Sequence, residues 1–168
     1  MAYELSPLRE TDAETLGPLH NRIWREAYAG LLPADVLDSR DDSESTARWR
    51  MRALAHERLG TSPEGCTTWV ARDEDGVAIG WIGVAAARDD DAPAPTELWS
   101  LYVAPEHQGR GAAQVLTDAM LPDGPAYLWV LEGNERAIAF YRKLGFETDG
   151  ATKELGDSGA FELRMSRT

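Results

Sequence analysis

A chain of 168 residues with 17 Lys+Arg against 29 Asp+Glu, a formal net charge of −12, is large enough for one sizeable core and is expected to form a single domain over residues 1–168. The acidic balance argues against a nucleic-acid partner, whose affinity rests on basic surface; it suits a cationic, amine-bearing substrate, although acidic surfaces also serve solubility alone. No apolar run approaches the ~20 residues of a membrane span, and the N-terminus lacks a signal-peptide pattern, so no membrane partner is expected.

Tyr3 to Leu8 reads as a first strand. Thr11-Asp-Ala-Glu14 has capping-box spacing, with Thr11 as N-cap and Glu14 at N3. Leu16, Leu19, Ile23 and Ala27 then fall on one helical face. Gly17-Pro18 is expected to kink this helix or delay its start, and Gly30 to stop it before Leu31-Leu-Pro33. A second helix is predicted from about Ser43 to Leu59, with Trp49, Ala53 and Leu54 and one charged, exposed face. Cys66 is the only cysteine, so no internal disulfide exists; this fits a cytoplasmic location, and the thiol reads as inert.

Thr67 to Ala71 and Val77 to Ala87 read as an antiparallel hairpin around Asp73-Glu-Asp-Gly76. After the polar loop Asp89 to Pro95 come a strand, Glu97 to Val103, a helix, Gly109 to about Leu121, and a strand, Ala126 to Leu131. Asn134 caps a helix whose Ala137, Phe140, Tyr141 and Leu144 share a face, and Gly145 with Phe146 has the form of a Schellman ending. Two last strands, Phe146–Leu155 and Ala160–Ser166, form a hairpin around Gly156-Asp-Ser-Gly159. The strand–helix–strand unit from Glu97 to Leu131 implies a parallel pair with a right-handed crossover. The expected fold is α/β (α+β): a mixed, mostly antiparallel sheet of about seven strands with helices on both faces.

The stretch Leu98-Trp-Ser-Leu-Tyr-Val-Ala-Pro-Glu-His-Gln-Gly-Arg-Gly-Ala-Ala-Gln-Val-Leu116 carries the chemistry. A strand runs through a proline turn into a glycine-bearing helix start, where free N–H groups can hold a phosphate. No Gly-Lys-Ser/Thr follows, so it is not a P-loop, and it lacks the third glycine of a dinucleotide fingerprint. Gln108-Gly-Arg-Gly-Ala-Ala113 fits the Gln/Arg-x-x-Gly-x-Gly/Ala signature of the GNAT superfamily of N-acetyltransferases. Asn134-Glu-Arg-Ala-Ile-Ala-Phe-Tyr-Arg-Lys-Leu-Gly-Phe146 resembles that family's Asn-x-x-Ala-x-x-Phe-Tyr-x-x-x-Gly-Phe segment. The order of elements is also similar along nearly the whole chain.

The resemblance implies acetyl-CoA as co-substrate and a sheet whose parallel pair splays. Its pyrophosphate would lie on Gln108, Gly109, Arg110, Gly111, Ala112 and Ala113, its pantetheine arm along Leu101, Tyr102 and Val103, with Asn134 and Ala137 in contact. Tyr141 would lie near the thioester sulfur as general acid; read from its helix alone, it is one more core aromatic. Asn134 also serves as a plain helix cap.

An attacking amine must shed a proton. Glu97 is the family-like candidate base; Glu132, at the mouth of the opposite parallel strand, and a water chain are the alternatives. Strand alternation puts Glu97, Trp99, Leu101 and Val103 on one face, and Glu97 also reads as a solvated strand-end carboxylate. Trp24 and Tyr28, before Gly30-Leu-Leu-Pro33, resemble a Trp-x-x-Ala-Tyr-x-Gly-Leu-Leu-Pro segment of bacterial acetyltransferases. With Trp99 and Glu132 they are the expected acceptor site. Some of the tryptophans at 24, 49, 69, 81, 99 and 129 would hold an amine by cation–π contact, while Trp69 and Trp81 read as core. His20, His56 and His107 read as surface or cap residues, and no spacing suggests a metal. The expected activity is N-acetylation of an amine-bearing small molecule by direct attack in a ternary complex. A non-catalytic acyl-CoA-binding module and a protein N-acetyltransferase are the alternatives, and a homodimer is common in the superfamily.

Overall fold

The computed structural model describes residues 2–168. Seven strands, β1 (Glu4–Pro7), β2 (Thr67–Arg72), β3 (Ala78–Ala86), β4 (Thr96–Val103), β5 (Ala126–Leu131), β6 (Glu147–Glu154) and β7 (Phe161–Arg167), form one sheet. Their order is β1-β2-β3-β4-β5-β7-β6. Every neighbouring pair is antiparallel except β4 and β5. The helices are α1 (Ala13–Ala27), α2 (Ala34–Asp38), α3 (Asp42–Leu59), α4 (Ala112–Met120) and α5 (Glu135–Lys143).

Apolar alternation along the strands and helical stripes feed one main core, including Leu16, Trp49, Val70, Ile82, Leu116, Leu128 and Phe146. A smaller cluster of Tyr28, Leu32, Leu37 and Leu131 closes one end. α1 and α3 touch at Gly17, where a Cβ would sit 2.6 Å from the backbone nitrogen of Thr46, so the helices approach this closely only over glycine. α5 ends as the Schellman pattern requires: Phe146 N–H donates to Tyr141 C=O at 3.1 Å and Gly145 N–H to Arg142 C=O at 3.0 Å.

Four local expectations change. The N-terminal box lies earlier than Thr11–Glu14: a 3₁₀ turn over Glu10–Asp12 precedes α1, and Arg9 N–H donates to the Asp12 carboxylate at 2.9 Å. Asp12 is the better choice because it also meets Arg72 of β2 in a buried ion pair at 2.8 Å. Pro18 lies inside a continuous α1 rather than delaying its start. α4 begins at Ala112, not Gly109, because a 3₁₀ turn at Pro105–His107 and the left-handed Gly109 and Gly111 come first. Ala27 and Leu54 are exposed, and the short α2 had no periodic signal.

Two histidines are structural rather than surface residues. His56 Nε2 accepts the N–H of Thr68 at 3.0 Å, pinning α3 to β2. His20 lies edge-on to Trp24, Trp49 and Trp81, and its Nδ1 accepts from Trp49 Nε1 at 3.3 Å. Burial, helped by Arg40, Arg52 and Arg48, lowers its pKa to about 3. The folded chain therefore keeps this ring neutral where the unfolded chain protonates it. That stability is complete above the unfolded value of 6.5 and falls as pH drops below it. The slope is about 1.4 kcal/mol per pH unit from this group. His20→Asn keeps an acceptor for Trp49 and removes the titration. Urea unfolding between about pH 6 and pH 4 is expected to show a shallower loss of stability in the variant; identical slopes would exclude His20 as the sensor.

Candidate active site

β4 and β5 pair only at Glu97↔Tyr127 and Leu98↔Leu128. Beyond Leu98 the strands part, although β4 continues to Val103 and β5 to Leu131. The break coincides with a bulge. Val84 faces Leu98 and Gly83 faces Ser100, so Trp99 has no residue opposite it. The extra residue reverses the alternation. Glu97 shares a face with Ser100 and Tyr102, and not with Leu101 and Val103 as the strict alternation predicts.

The gap opens into a cleft of about 820 Å³. One end is the turn between β4 and α4. There Gln108 Nε2 donates to Val103 C=O at 2.8 Å, and Gln108 Oε1 accepts from the Arg136 guanidinium of α5, so one side chain ties strand, turn and helix. Gly109 and Gly111 have φ of 73° and 92°, and a Cβ on either would meet no atom within 4 Å. The glycines are there for backbone conformation and for the open space in front of them. No side chain caps α4, and its first helical hydrogen bond runs from Val115 to Gly111, which leaves the N–H groups of the first turn unpaired. With Arg136 beside them, these donors fit an anion such as a pyrophosphate. Gln108, Gly109, Gly111 and Ala113 line the cleft; the Ala112 side chain enters the core, and Arg110 is exposed. Arg136 and Gln114 are lining residues that the loop signature does not include.

Leu101, Tyr102, Val103, Asn134, Ala137 and Tyr141 line the middle of the cleft. Asn134 Oδ1 accepts the N–H of Ala137 at 3.3 Å, so its cap role is present. Burial, then the neighbouring Tyr102, pushes the Tyr141 hydroxyl above the usual phenol range. Burial acts the same way on Tyr28 and Tyr102, whose hydroxyls meet at 3.1 Å. All three phenols hold their protons at neutral pH.

The candidate bases fare differently. Glu97 is 2 % exposed, and both oxygens are engaged. Arg88 Nε donates at 2.8 Å, Arg88 Nη2 at 2.6 Å and the Tyr127 hydroxyl at 3.1 Å. Its side chain does not reach the cleft. With both oxygens engaged and the side chain outside the cleft, Glu97 is a structural residue of the closed end. Glu132 is exposed on the turn after β5, outside the cleft. Two carboxylates line the cleft, Glu26 of α1 and Glu162 of β7, the latter opposite Leu131. The alternation in Phe161-Glu-Leu-Arg-Met165 contains this signal, but only once β7 is known to border β5.

At the acceptor end, Tyr28, Trp99 and Trp129 line the cleft and Trp24 does not. Arg40 lies 4.1 Å from the Trp24 ring centre, Arg88 3.8 Å from Trp99 and Lys153 4.1 Å from Trp129. These tryptophans each have one ring face covered by a cation of the chain itself. Trp49, like Trp81, is core. His107 lines the cleft beside Tyr3. Among the described residues no group of His, Cys, Asp and Glu is placed to hold a metal, and no helix is long and apolar enough to cross a membrane.

Comparison with known proteins agrees with this geometry. The family described as "Acetyltransferase (GNAT) family" matches residues 22–146. The "Uncharacterized N-acetyltransferase YuaI" of Bacillus subtilis is 27% identical over 137 residues, 78% of this chain and 72% of that protein. A mycothiol acetyltransferase of Acidothermus cellulolyticus is 30% identical over 142 residues, 79% of this chain but 41% of that longer protein. The PaiA N-acetyltransferase of Thermoplasma acidophilum, solved with coenzyme A, superposes with a TM-score of 0.75 at 20% identity, covering 100% of this chain and 99% of that one.

Glu97→Gln is expected to lower stability by roughly 1–3 kcal/mol, since it leaves Arg88 without its charge partner. Chemical denaturation measures this. Unchanged stability would mean that the clamp contributes nothing.

Proposed function

The chain belongs to the GNAT family of acetyl-CoA-dependent N-acetyltransferases, and we propose from that premise that it acetylates a primary amine of a small molecule by direct attack in a ternary complex. One observation carries the reading: a single cleft runs from the anion cradle at Gly109 and Gly111 past Tyr141 to Trp99 and Glu162. Two reactants entering from opposite ends meet without a covalent relay. Acetyl-CoA supplies the activated thioester; the remaining roles fall to the chain. The unpaired donors of α4 and Arg136 hold the pyrophosphate, and the edge of β4 from Leu101 to the Val103 N–H pairs with the pantetheine arm, the Val103 carbonyl being held by Gln108. A backbone N–H near Val103 is the donor for the developing oxyanion. Tyr141 keeps its proton for the departing sulfur.

The preference for a small acceptor rests on an apolar cluster beside the cleft. Tyr28, Leu32 and Leu37 pack with Leu131, and Leu31, Leu155 and Ala160 join them. Tyr28 and Leu131 line the cleft, so this cluster fixes the segment after α1 against that end. A protein acceptor is the second reading, favoured by a similarity to the "Peptidyl-lysine N-acetyltransferase YjaB" of Escherichia coli, 30% identical over 92 residues, 54% of this chain and 56% of that protein. We place the protein in the cytoplasm, where acetyl-CoA is available. Free-thiol release from acetyl-CoA, measured with a set of small amines and with lysine peptides, separates the two. Turnover on peptides alone would overturn the small-molecule reading.

Tyr141→Phe keeps the ring and removes the donor. A loss in kcat of about 10²-fold is expected, with the acetyl-CoA dissociation constant nearly unchanged. A variant as fast as the parent in the chemical step would return Tyr141 to core packing. Gly111→Asp places a carboxylate in the cradle and forces a side chain into φ of 92°. Calorimetry is expected to show at least a tenfold weaker acetyl-CoA affinity, about 1.4 kcal/mol. Unchanged affinity with the fold intact would remove the loop from the cofactor site.

A further inference from the structure

We propose that Glu162 of β7 receives the acceptor's ammonium and takes its proton, so that the acceptor is a compact primary amine whose charged head enters past Trp99 and Trp129. The inference rests on the acetylation reading above and names the residue and the charge class that the reading leaves open.

Two carboxylates line the cleft, Glu26 and Glu162. Glu26 is exposed on α1, whereas Glu162 is half-buried on the sheet floor, opposite Leu131, where β5 has already left β4. The contrast with Glu97 is geometric. Glu97 is satisfied by three donors; the charged partner of Glu162 is Lys153 Nζ at 3.8 Å, longer than a hydrogen bond. Lys153 also stacks on Trp129 and is itself partly exposed. An arriving ammonium can therefore displace it from the carboxylate while Lys153 keeps its stacking contact. The two tryptophans, each already under a cation, serve as apolar walls. The attraction for a positive head then falls to the Glu162 carboxylate on β7, the strand next to that of Trp129.

The charged and titratable surroundings of Glu162 come from several elements. Lys153 of β6 and Arg88 after β3 favour its anion; Glu97 of β4 and Asp89 oppose it. Tyr28 at the end of α1 and Tyr102 of β4 sense its charge, and Tyr28 in turn senses Tyr141 of α5. Burial dominates and raises the carboxyl above its usual range, which brings its proton affinity closer to that needed by a base working near neutrality. The ammonium gives one proton to Glu162. The amine lone pair then forms the C–N bond as the C–S bond breaks. Sulfur leaves with the proton of Tyr141, and the surplus proton on nitrogen restores Tyr141. Glu162 releases its proton to water with the product.

The test uses n-butylamine, phenethylamine and 1,4-diaminobutane as acceptors with the whole chain and acetyl-CoA. For the best of these, Glu162→Gln is expected to lower kcat/KM at least tenfold at about pH 6.5. The loss should shrink toward about pH 9.5, where the amine begins to deprotonate unaided. The acetyl-CoA dissociation constant should stay within about twofold, and Glu162→Asp should recover part of the rate. If the parent turns over amines but the variant keeps the same kcat/KM and pH profile, the assignment of Glu162 is overturned and the acetylation reading stands. A uniform loss at every pH would also overturn it, because that is what lost packing produces. If the parent binds acetyl-CoA but acetylates none of the three, the small-amine reading fails and this inference falls with it.

Discussion

Everything at the site depends on how one parallel pair is held at one end and released at the other. Glu97 and Tyr127 sit side by side on β4 and β5, joined by a hydrogen bond of 3.1 Å, and Arg88 closes over the same carboxylate. One residue later the ladder stops. The unpaired Trp99 adds local twist to β4, while β5 stays committed to β7 over six residue pairs. The sheet is thereby two antiparallel halves joined at a short, electrostatically fastened seam. The backbone groups that a longer ladder would consume are left facing the cleft. A buried carboxylate is normally costly, but here three donors satisfy it, and the seam cannot widen without stranding it.

Charge is divided along the cleft. Arg136 and the unpaired N–H groups of α4 stand at one end, and Glu162 at the other. The chain as a whole is strongly acidic at −12, which disfavours an anionic ligand at long range. Binding there must come from short-range donors, which act over the first turn of a helix. The same overall charge favours the approach of a cationic acceptor.

Much of the fold was legible in local pattern. Short apolar runs bounded by turn residues marked six of the strands, and the seventh, β6, was recognisable chiefly from its partner β7. Asn134, Gly145 and Phe146 announced both ends of α5, and the Gly109/Gly111 spacing announced the turn at α4. These features are readable because their physics lies within a few neighbouring residues. The misreadings depend on distant ones. The run Glu97-Leu-Trp-Ser-Leu alternates acceptably by itself, and the bulge exists only against Gly83 and Val84. Glu97 resembles a free strand-end carboxylate until Arg88 and Tyr127 are placed around it. His20 looks like a polar residue on a helix until Trp49 and Trp81 arrive from other elements. Glu162 was invisible because β7 returns between β5 and β6, against the order of the chain.

The central claim is that the backbone of β4 beyond Leu98 has no strand partner on its β5 side and that its groups there, apart from the Val103 carbonyl held by Gln108, pair with the acetyl-CoA arm. Amide hydrogen exchange with and without acetyl-CoA measures this directly. The account predicts added protection within Leu101–Val103 and in the first turn of α4, with Glu97 and Tyr127 at the seam equally protected in both states. Unchanged exchange across Leu101–Val103 at saturating acetyl-CoA would contradict it.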